Sequence, residues 1–337
     1  MMQNQQWQLK TRPHGLIGEE HFERVVSDLQ GLEDGGVLVK NLYLSFDPTQ
    51  RGWVNDTESY MPPVAIGEVM RAGTVGQVVS SKNERFKVGD LVQGLGGWQE
   101  YFISDQGTGL SSVPEGVTPQ EALGIFGTTG LTAYFGLLDL SDPKPGDTVL
   151  ISGAAGATGS VAGQIAKLKG ARVIGIAGGP EKCRWLTETA GFDAAIDYKN
   201  ESVPDGIARL CPNRINVFFD NVGGGILEAA LDHLAMNARV ILCGGISGYN
   251  ETEPMPGPKN IMNLVITRSR MEGFIVIDYM NRVGEFLTEM LPWYRSGQIV
   301  HLEDVQEGFD EIPNTLQRLF SGKNLGKQLL KLAEPES

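Results

Sequence analysis

The chain has 337 residues, more than one hydrophobic core usually supports, so two domains are expected, each large enough to bury a core. With 41% hydrophobic and 20% charged residues it reads as globular, and a net charge of −13 without any cluster of Lys and Arg excludes a phosphate-backbone partner such as nucleic acid. The opening MMQNQQWQLKTRP is too polar for a signal peptide and no apolar run reaches bilayer length, so a cytoplasmic protein with no membrane partner is expected.

The first third alternates apolar and polar residues in short runs, GVLVKNLYLSF, AGTVGQVV and GDLVQGLGGWQEYFI, broken by Gly, Asp and Pro. That pattern predicts short antiparallel strands of a barrel or sandwich. At PEGVTPQEALGIFG the texture changes: Thr118 caps a helix, Pro119 takes its first position and Glu121 follows three residues after the cap. A domain boundary is placed just after this helix, dividing residues 1–126 from 127–310. From 145 onward strands and helices alternate: TVLI, TGSVAGQIAKLK, RVIGIA, PEKCRWLTETAG, AAIDY, INVFFDNVG, GILEAALDHLA and RVILCGG. Apolar strands separated by amphipathic helices predict an α/β fold with a doubly wound parallel sheet, which binds ligands at the carboxyl ends of its strands. The last segment, with one more helix and a strand, is expected to return to the first domain as residues 311–337.

The turn after the first strand of this series reads GAAGATG, with glycines at 153, 156 and 159. Its spacing is wider than G-x-G-x-x-G. A tight packing turn is the bland alternative, but the loop leaves a strand and opens a helix, where main-chain amides and the helix dipole form an anion site. About twenty residues on, AGGPEKC lacks the acid that would hold a free ribose and offers instead the amides of Gly178 and Gly179, followed by Lys182. This favours NADPH, with a solvated helix lysine as the alternative for Lys182.

The three cysteines, Cys183, Cys211 and Cys243, have no metal or disulfide spacing and read as small apolar residues. His14, His21, His233 and His301 are scattered, and GEVM at 67–70 lacks a histidine, so no metal site is expected.

The ordered motifs YLSFDPTQRG, GLTAYFGLL, GAAGATGSVAGQIAKLKGARVIG, FDNVGG, CGGISGYN and GKNLGK together resemble the zinc-independent medium-chain dehydrogenases/reductases, in the branch of prostaglandin reductases, leukotriene hydroxydehydrogenases and curcumin reductases. The resemblance runs almost end to end. It implies a GroES-like β-rich catalytic domain around an inserted Rossmann domain, NADPH as hydride donor, and a homodimer. By motif it puts the pyrophosphate on Gly156, Ala157, Thr158 and Gly159, and the 2′-phosphate on Lys182 and Tyr198. The rest of the cofactor falls to Thr132, Asn221, the segment Cys243, Gly244, Gly245, Ile246, Ser247 and Tyr249, and Asn324. An Asp-Asn turn is the alternative for Asn221.

Tyr249 is the expected catalytic residue. Hydride addition to the β-carbon of a conjugated enone needs a donor for the developing enolate oxygen, and a phenol is protonated at neutral pH. An ordinary loop aromatic is the alternative. In MEGFIVID, Phe274, Ile275 and Val276 are candidates to cover the nicotinamide, and Phe274 and Ile275 also to touch substrate; sheet core is the competing role. Thr49 and Gln50 stand where this branch usually has Tyr and Met, which predicts a wider or more polar pocket. Thr49 and Tyr60 are the substrate candidates there, with Trp53, Met70 and Trp98 as wall or core. The expected activity is NADPH-dependent reduction of α,β-unsaturated ketones or aldehydes. Alternatives are a quinone oxidoreductase and a non-catalytic NADPH-binding protein.

Overall fold

The computed structural model describes residues 2–336, which form two compact units: one from the chain up to Gly124 and from Glu303 onward, the other Ile125–Leu302. The division lies at 124/125 and 302/303, rather than at the expected 126/127 and 310/311. The fold is α/β, a Rossmann unit inserted in a GroES-like β-rich one.

The first unit begins with β1 (Gln3–Leu9) and β2 (Phe22–Asp28), an antiparallel ribbon. Then come β3 (Val37–Ser45), a short α1 (Gln50–Trp53), β4 (Thr74–Ser81), β5 (Leu91–Gly94), β6 (Tyr101–Ser104), β7 (Ser111–Ser112) and α2 (Pro119–Leu123). The predicted cap of α2 is present: Thr118 Oγ1 accepts from the Glu121 amide at 3.2 Å and Glu121 Oε2 accepts from the Thr118 amide at 2.8 Å.

The second unit carries β8 (Thr148–Ser152), β9 (Arg172–Ala177), β10 (Ala194–Asp197), β11 (Ile215–Asp220), β12 (Leu234–Leu242) and β13 (Arg270–Gly273) in one parallel sheet, in the order β10-β9-β8-β11-β12-β13. Its helices are α3 (Thr128–Ser141), α4 (Ala157–Leu168), α5 (Pro180–Glu188), α6 (Val203–Leu210), α7 (Gly224–Leu231), α8 (Asn263–Thr267) and α9 (Val283–Arg295). All five residues of β8 are buried. That is the burial a strand needs when helices cover both faces, and the reason its sequence is a run rather than an alternation. The strand order reverses between β8 and β11, which opens the crevice where such sheets take ligands. None of the helices, among the described residues, is long and apolar enough to cross a membrane.

β14 (Glu303–Glu307), α10 (Ile312–Phe320) and β15 (Lys327–Lys331) complete the first unit. Its larger sheet runs β14-β15-β3-β4-β5-β7, with β6 also paired to β3. Parallel pairing of β14 to β15 is what moves the second boundary back from 310 to 302. Met70 and Trp98 are fully buried in this unit's core, where Trp98 sits 4.7 Å from Phe22 and 5.8 Å from Phe46 by ring centroids. They take the core role, not the wall.

Candidate cofactor and substrate site

In the second unit, the loops that leave the carboxyl ends of β8, β9, β11 and β12 bring most of the expected residues together. Gly153 turns the chain out of β8 with φ +57°, a conformation that favours glycine. Gly156 caps α4, and a Cβ on Gly159 would stand 2.5 Å from the Gly153 carbonyl oxygen. The turn therefore closes only without a side chain at 159, and Gly156, Ala157, Thr158 and Gly159 present main chain at a helix N-terminus. Gly163, by contrast, meets the Phe192 ring and serves packing of the helix. This cradle fits a pyrophosphate.

After β9, Gly178 and Gly179 precede α5, whose third residue is the half-buried Lys182. Gly178 has no room for a side chain, because a Cβ there would lie 2.7 Å from the Tyr198 hydroxyl. Tyr198 itself, at the end of β10, is exposed. One expectation is corrected here. The Gly179 amide is not available to a phosphate, since it donates to Asp197 Oδ1 at 2.7 Å. Desolvation works against ionisation of Asp197, but donation from Gly179, Asn200 and Lys199 holds its pKa below the ordinary carboxylate value. Sequence reasoning looked for an acid after β9 and missed this one, one strand over.

Asn221 is anchored at both its main chain and its side chain: its amide donates to Ser152 Oγ at 2.8 Å and Nδ2 to the Ser152 carbonyl at 2.7 Å. That leaves Oδ1 as the acceptor end of the side chain. Beneath it lies Asp220, fully buried, accepting from Ser152 Oγ at 2.6 Å and from the Val222 and Gly223 amides at 3.0 and 3.1 Å. Burial raises the Asp220 pKa against those donors. The Asp220 carbonyl also accepts from the amides of Cys243 and Gly244, while those of Asn221 and Val222 accept from Ile246 and Ser247. One buried acid thus organises the 221–223 turn and sits on the strand end that holds the Cys243–Tyr249 loop. It was legible only as half of a turn-forming Asp-Asn pair.

Within that loop, a one-turn 3-10 helix at 246–248 returns Tyr249 toward Gly245, whose amide donates to the phenol oxygen at 3.2 Å. Burial, with the Asp220 charge beside it, pushes the Cys243 thiol up to about 12, so this cysteine lines the loop as a neutral group. Thr132 on α3 donates its hydroxyl to the Thr128 carbonyl at 2.7 Å, which leaves oxygen lone pairs as what it can offer. Phe274, just past β13, lies edge-on to Phe219 and Tyr279, and its ring fills the space where a Cβ on Gly136 would be. Its side chain has the packing role; Ile275 and Val276 follow, half-buried.

The remaining candidates belong to the first unit. Asn324 Nδ2 turns back to the Gly326 carbonyl at 3.1 Å. Gln50 is fully buried, donating to the Arg71 carbonyl and accepting from the Asp47 amide, so the polar pocket expected from Thr49 and Gln50 loses its second member to the interior. Thr49 and Tyr60 do meet, hydroxyl to hydroxyl. No three His, Cys, Asp or Glu side chains stand together as a metal needs among the described residues, and the donors present do not fit a zinc ion.

Two family models match the chain: the N-terminal domain of oxidoreductase over residues 5–113, and zinc-binding dehydrogenase over residues 157–293. The chain is 42% identical to the NADPH-dependent curcumin reductase of Escherichia coli (strain K12), covering 98% of this chain and 97% of that protein. It is 39% identical to prostaglandin reductase 1 of Mus musculus, covering 98% and 100%. The crystal structure of CurA in complex with NADPH from Vibrio vulnificus superposes with a TM-score of 0.94 at 42% identity, covering 98% of this chain and all of that one. The chain belongs to the medium-chain dehydrogenase/reductase family, in the zinc-independent branch that holds the prostaglandin and curcumin reductases.

Proposed function

We propose that this protein uses NADPH to reduce the carbon–carbon double bond of α,β-unsaturated ketones and aldehydes. The observation that carries the reading is the Tyr249 loop. Its phenol, tied to the Gly245 amide, stands on a segment bonded to the ends of β11 and the turn after it, beside the glycine cradle: Asn221 Cβ is 3.4 Å from where a Gly153 Cβ would be. When bound, NADPH supplies the hydride that adds to the β-carbon. Gly156 to Gly159 hold the pyrophosphate, Lys182 and Tyr198 the 2′-phosphate, and Asn221 orients the carboxamide end. Tyr249 donates its proton toward the carbonyl oxygen as negative charge develops there, and accepting from Gly245 makes its O–H a stronger donor. The α-carbon then takes a proton from solvent, giving the saturated ketone.

NADPH absorbance followed with a panel of enones, alkenals and quinones tests the reading. Enone turnover with a saturated ketone product is the expected result. Turnover of quinones alone, or tight NADPH binding without oxidation, would replace it.

The functional form we propose is a cytoplasmic homodimer joined through β13, one of the two edge strands of the sheet. Antiparallel pairing about Met271 would set Arg270 against Glu272 of the partner subunit, a self-complementary arrangement. Beside this edge, Ile261, Met262, Val265 and Ile266 are between 43% and 67% exposed, an apolar patch that pairing would help to cover. Light scattering on the wild type and on Val265→Glu/Ile266→Glu checks it: a dimer giving way to a monomer is expected.

A further inference from the structure

Asp220, the last residue of β11, is a buried acid that the chemistry above does not use. It is 0% exposed, and among the described residues no Lys, Arg or His forms an ion pair with it. Every polar group that its carboxyl meets is a donor: Ser152 Oγ at 2.6 Å, the Val222 amide at 3.0 Å, and the Gly223 amide at 3.1 Å from both oxygens. Burying a charge with no counter-ion is costly. An asparagine would shape the same turn without that cost, so turn formation alone does not account for the acid.

The donors say which form of the acid is present. Ser152 Oγ accepts from the Asn221 amide at 2.8 Å and gives its one proton to Asp220. A protonated Asp220 would have to donate to that same oxygen, which would strand the proton of a fully buried serine. Burial works against ionisation, but the whole set of partners is built for an anion. The charge also reaches the loop that carries Tyr249: after burial, it is the second cause that keeps the Cys243 thiol protonated.

Hydride donation gives such a charge a use. When a hydride leaves a dihydronicotinamide ring, its electron pair goes to the acceptor carbon and a positive charge stays on the ring. The carboxamide end of the cofactor is assigned to Asn221, the next residue along the chain. We propose that Asp220 is the counter-charge of the oxidised nicotinamide: its carboxylate, which gains and loses no proton, favours NADP+ over NADPH in the site and so makes bound NADPH a stronger hydride donor. This rests on the placement of the cofactor at Asn221, not on which acceptor takes the hydride. A fixed charge shielded from water acts more strongly across the same distance than one in solvent, and no reorganisation is needed when the ring charge appears.

Dissociation constants of NADPH and NADP+, read by protein fluorescence with no substrate present, test the assignment in the wild type, Asp220→Asn and Ser152→Ala. The ratio Kd(NADP+)/Kd(NADPH) is expected to rise roughly ten-fold in Asp220→Asn, the effect of one unit charge at about 10 Å in a protein interior. In Ser152→Ala, which disturbs the same turn but keeps the charge, it should stay within about two-fold of the wild type. A structural role would weaken both nucleotides alike. An unchanged ratio in Asp220→Asn, or an equal rise in Ser152→Ala, overturns the proposal. Should Asp220→Asn not fold, the wild type decides: it is expected to hold NADP+ within about five-fold of NADPH, and a stronger preference for NADPH overturns the counter-charge. Asn221→Ala reads the placement separately and should weaken both nucleotides. Weakening there without the ratio change removes the role of Asp220 and keeps the placement, while no weakening removes both. An enzyme that reduces no enone yet shows the ratio change would sink the reaction proposed above and keep the counter-charge.

Discussion

The phenol oxygen of Tyr249 accepts from the amide of Gly245, four residues earlier, so the loop grips its own tyrosine. Tyr249→Phe keeps the ring and loses both this contact and the proton that the hydroxyl donates. Turnover of an enone is expected to fall by roughly ten- to a thousand-fold, the range for one donor to a developing oxyanion. NADPH affinity, read by quenching of protein fluorescence, should change far less. Undiminished turnover would remove Tyr249 from the chemistry.

Lys182 lies in the first turn of α5, where its charge adds to that of the helix N-terminus. Lys182→Ala should raise KM for NADPH by roughly ten-fold or more and leave KM for NADH nearly as it was, because only the former brings a 2′-phosphate to pair with. Equal loss for both nucleotides would mean that the lysine supports the fold of the loop instead.

In the first unit Lys327, 1% exposed, pairs with Asp47 Oδ1 at 2.5 Å and donates to the Phe46 carbonyl at 3.2 Å. Two of the sequence motifs, YLSFDPTQRG and GKNLGK, are locked together by this contact. Lys327→Met leaves the carboxylate without its counter-ion and should cost about 3 kcal/mol in urea unfolding, the low end for a broken buried pair because Asp47 is partly open to water. Adding Asp47→Asn should restore much of the loss. A single-variant cost near zero would refute the coupling.

Glu303, at the start of β14, has its pKa pushed up from 4.5 to about 7, first by burial and then by the charge of Glu121. The folded chain therefore keeps a proton at pH values where the unfolded chain has lost it. This contribution to stability declines as pH rises from about 4.5 to about 7, and is fully gone above that window. Glu303→Gln escapes the decline. It should melt about 2–4 °C above the wild type near pH 8 and alongside it near pH 4.5, in paired thermal scans.

Much of the second unit could be read from its sequence because its signals are local. Thr118, Pro119 and Glu121 announce α2, and the apolar runs of β8, β9 and β11 can only be strands of a covered sheet. β14 could not be read this way: Glu303, Asp304, Gln306 and Glu307 give no apolar period, and the strand exists because β15 offers its edge. α9 is masked by an internal Pro292. At the site, the glycine loop and Tyr249 announce themselves by type and spacing, whereas Asp197 and Asp220 act on residues brought near only by the fold. Gln50, polar in sequence, is interior in fact, because three main-chain groups of its own unit satisfy its amide.

The Tyr198 ring resting over Gly178 has a practical meaning for anyone redesigning the enzyme. Converting such a protein to the cheaper, unphosphorylated nucleotide is usually attempted by installing an acid after the second strand. Here that position has no volume to accept one until the tyrosine is gone. The two sites would have to be recoded in a single step, and a library that varies either of them alone would pass over the solution.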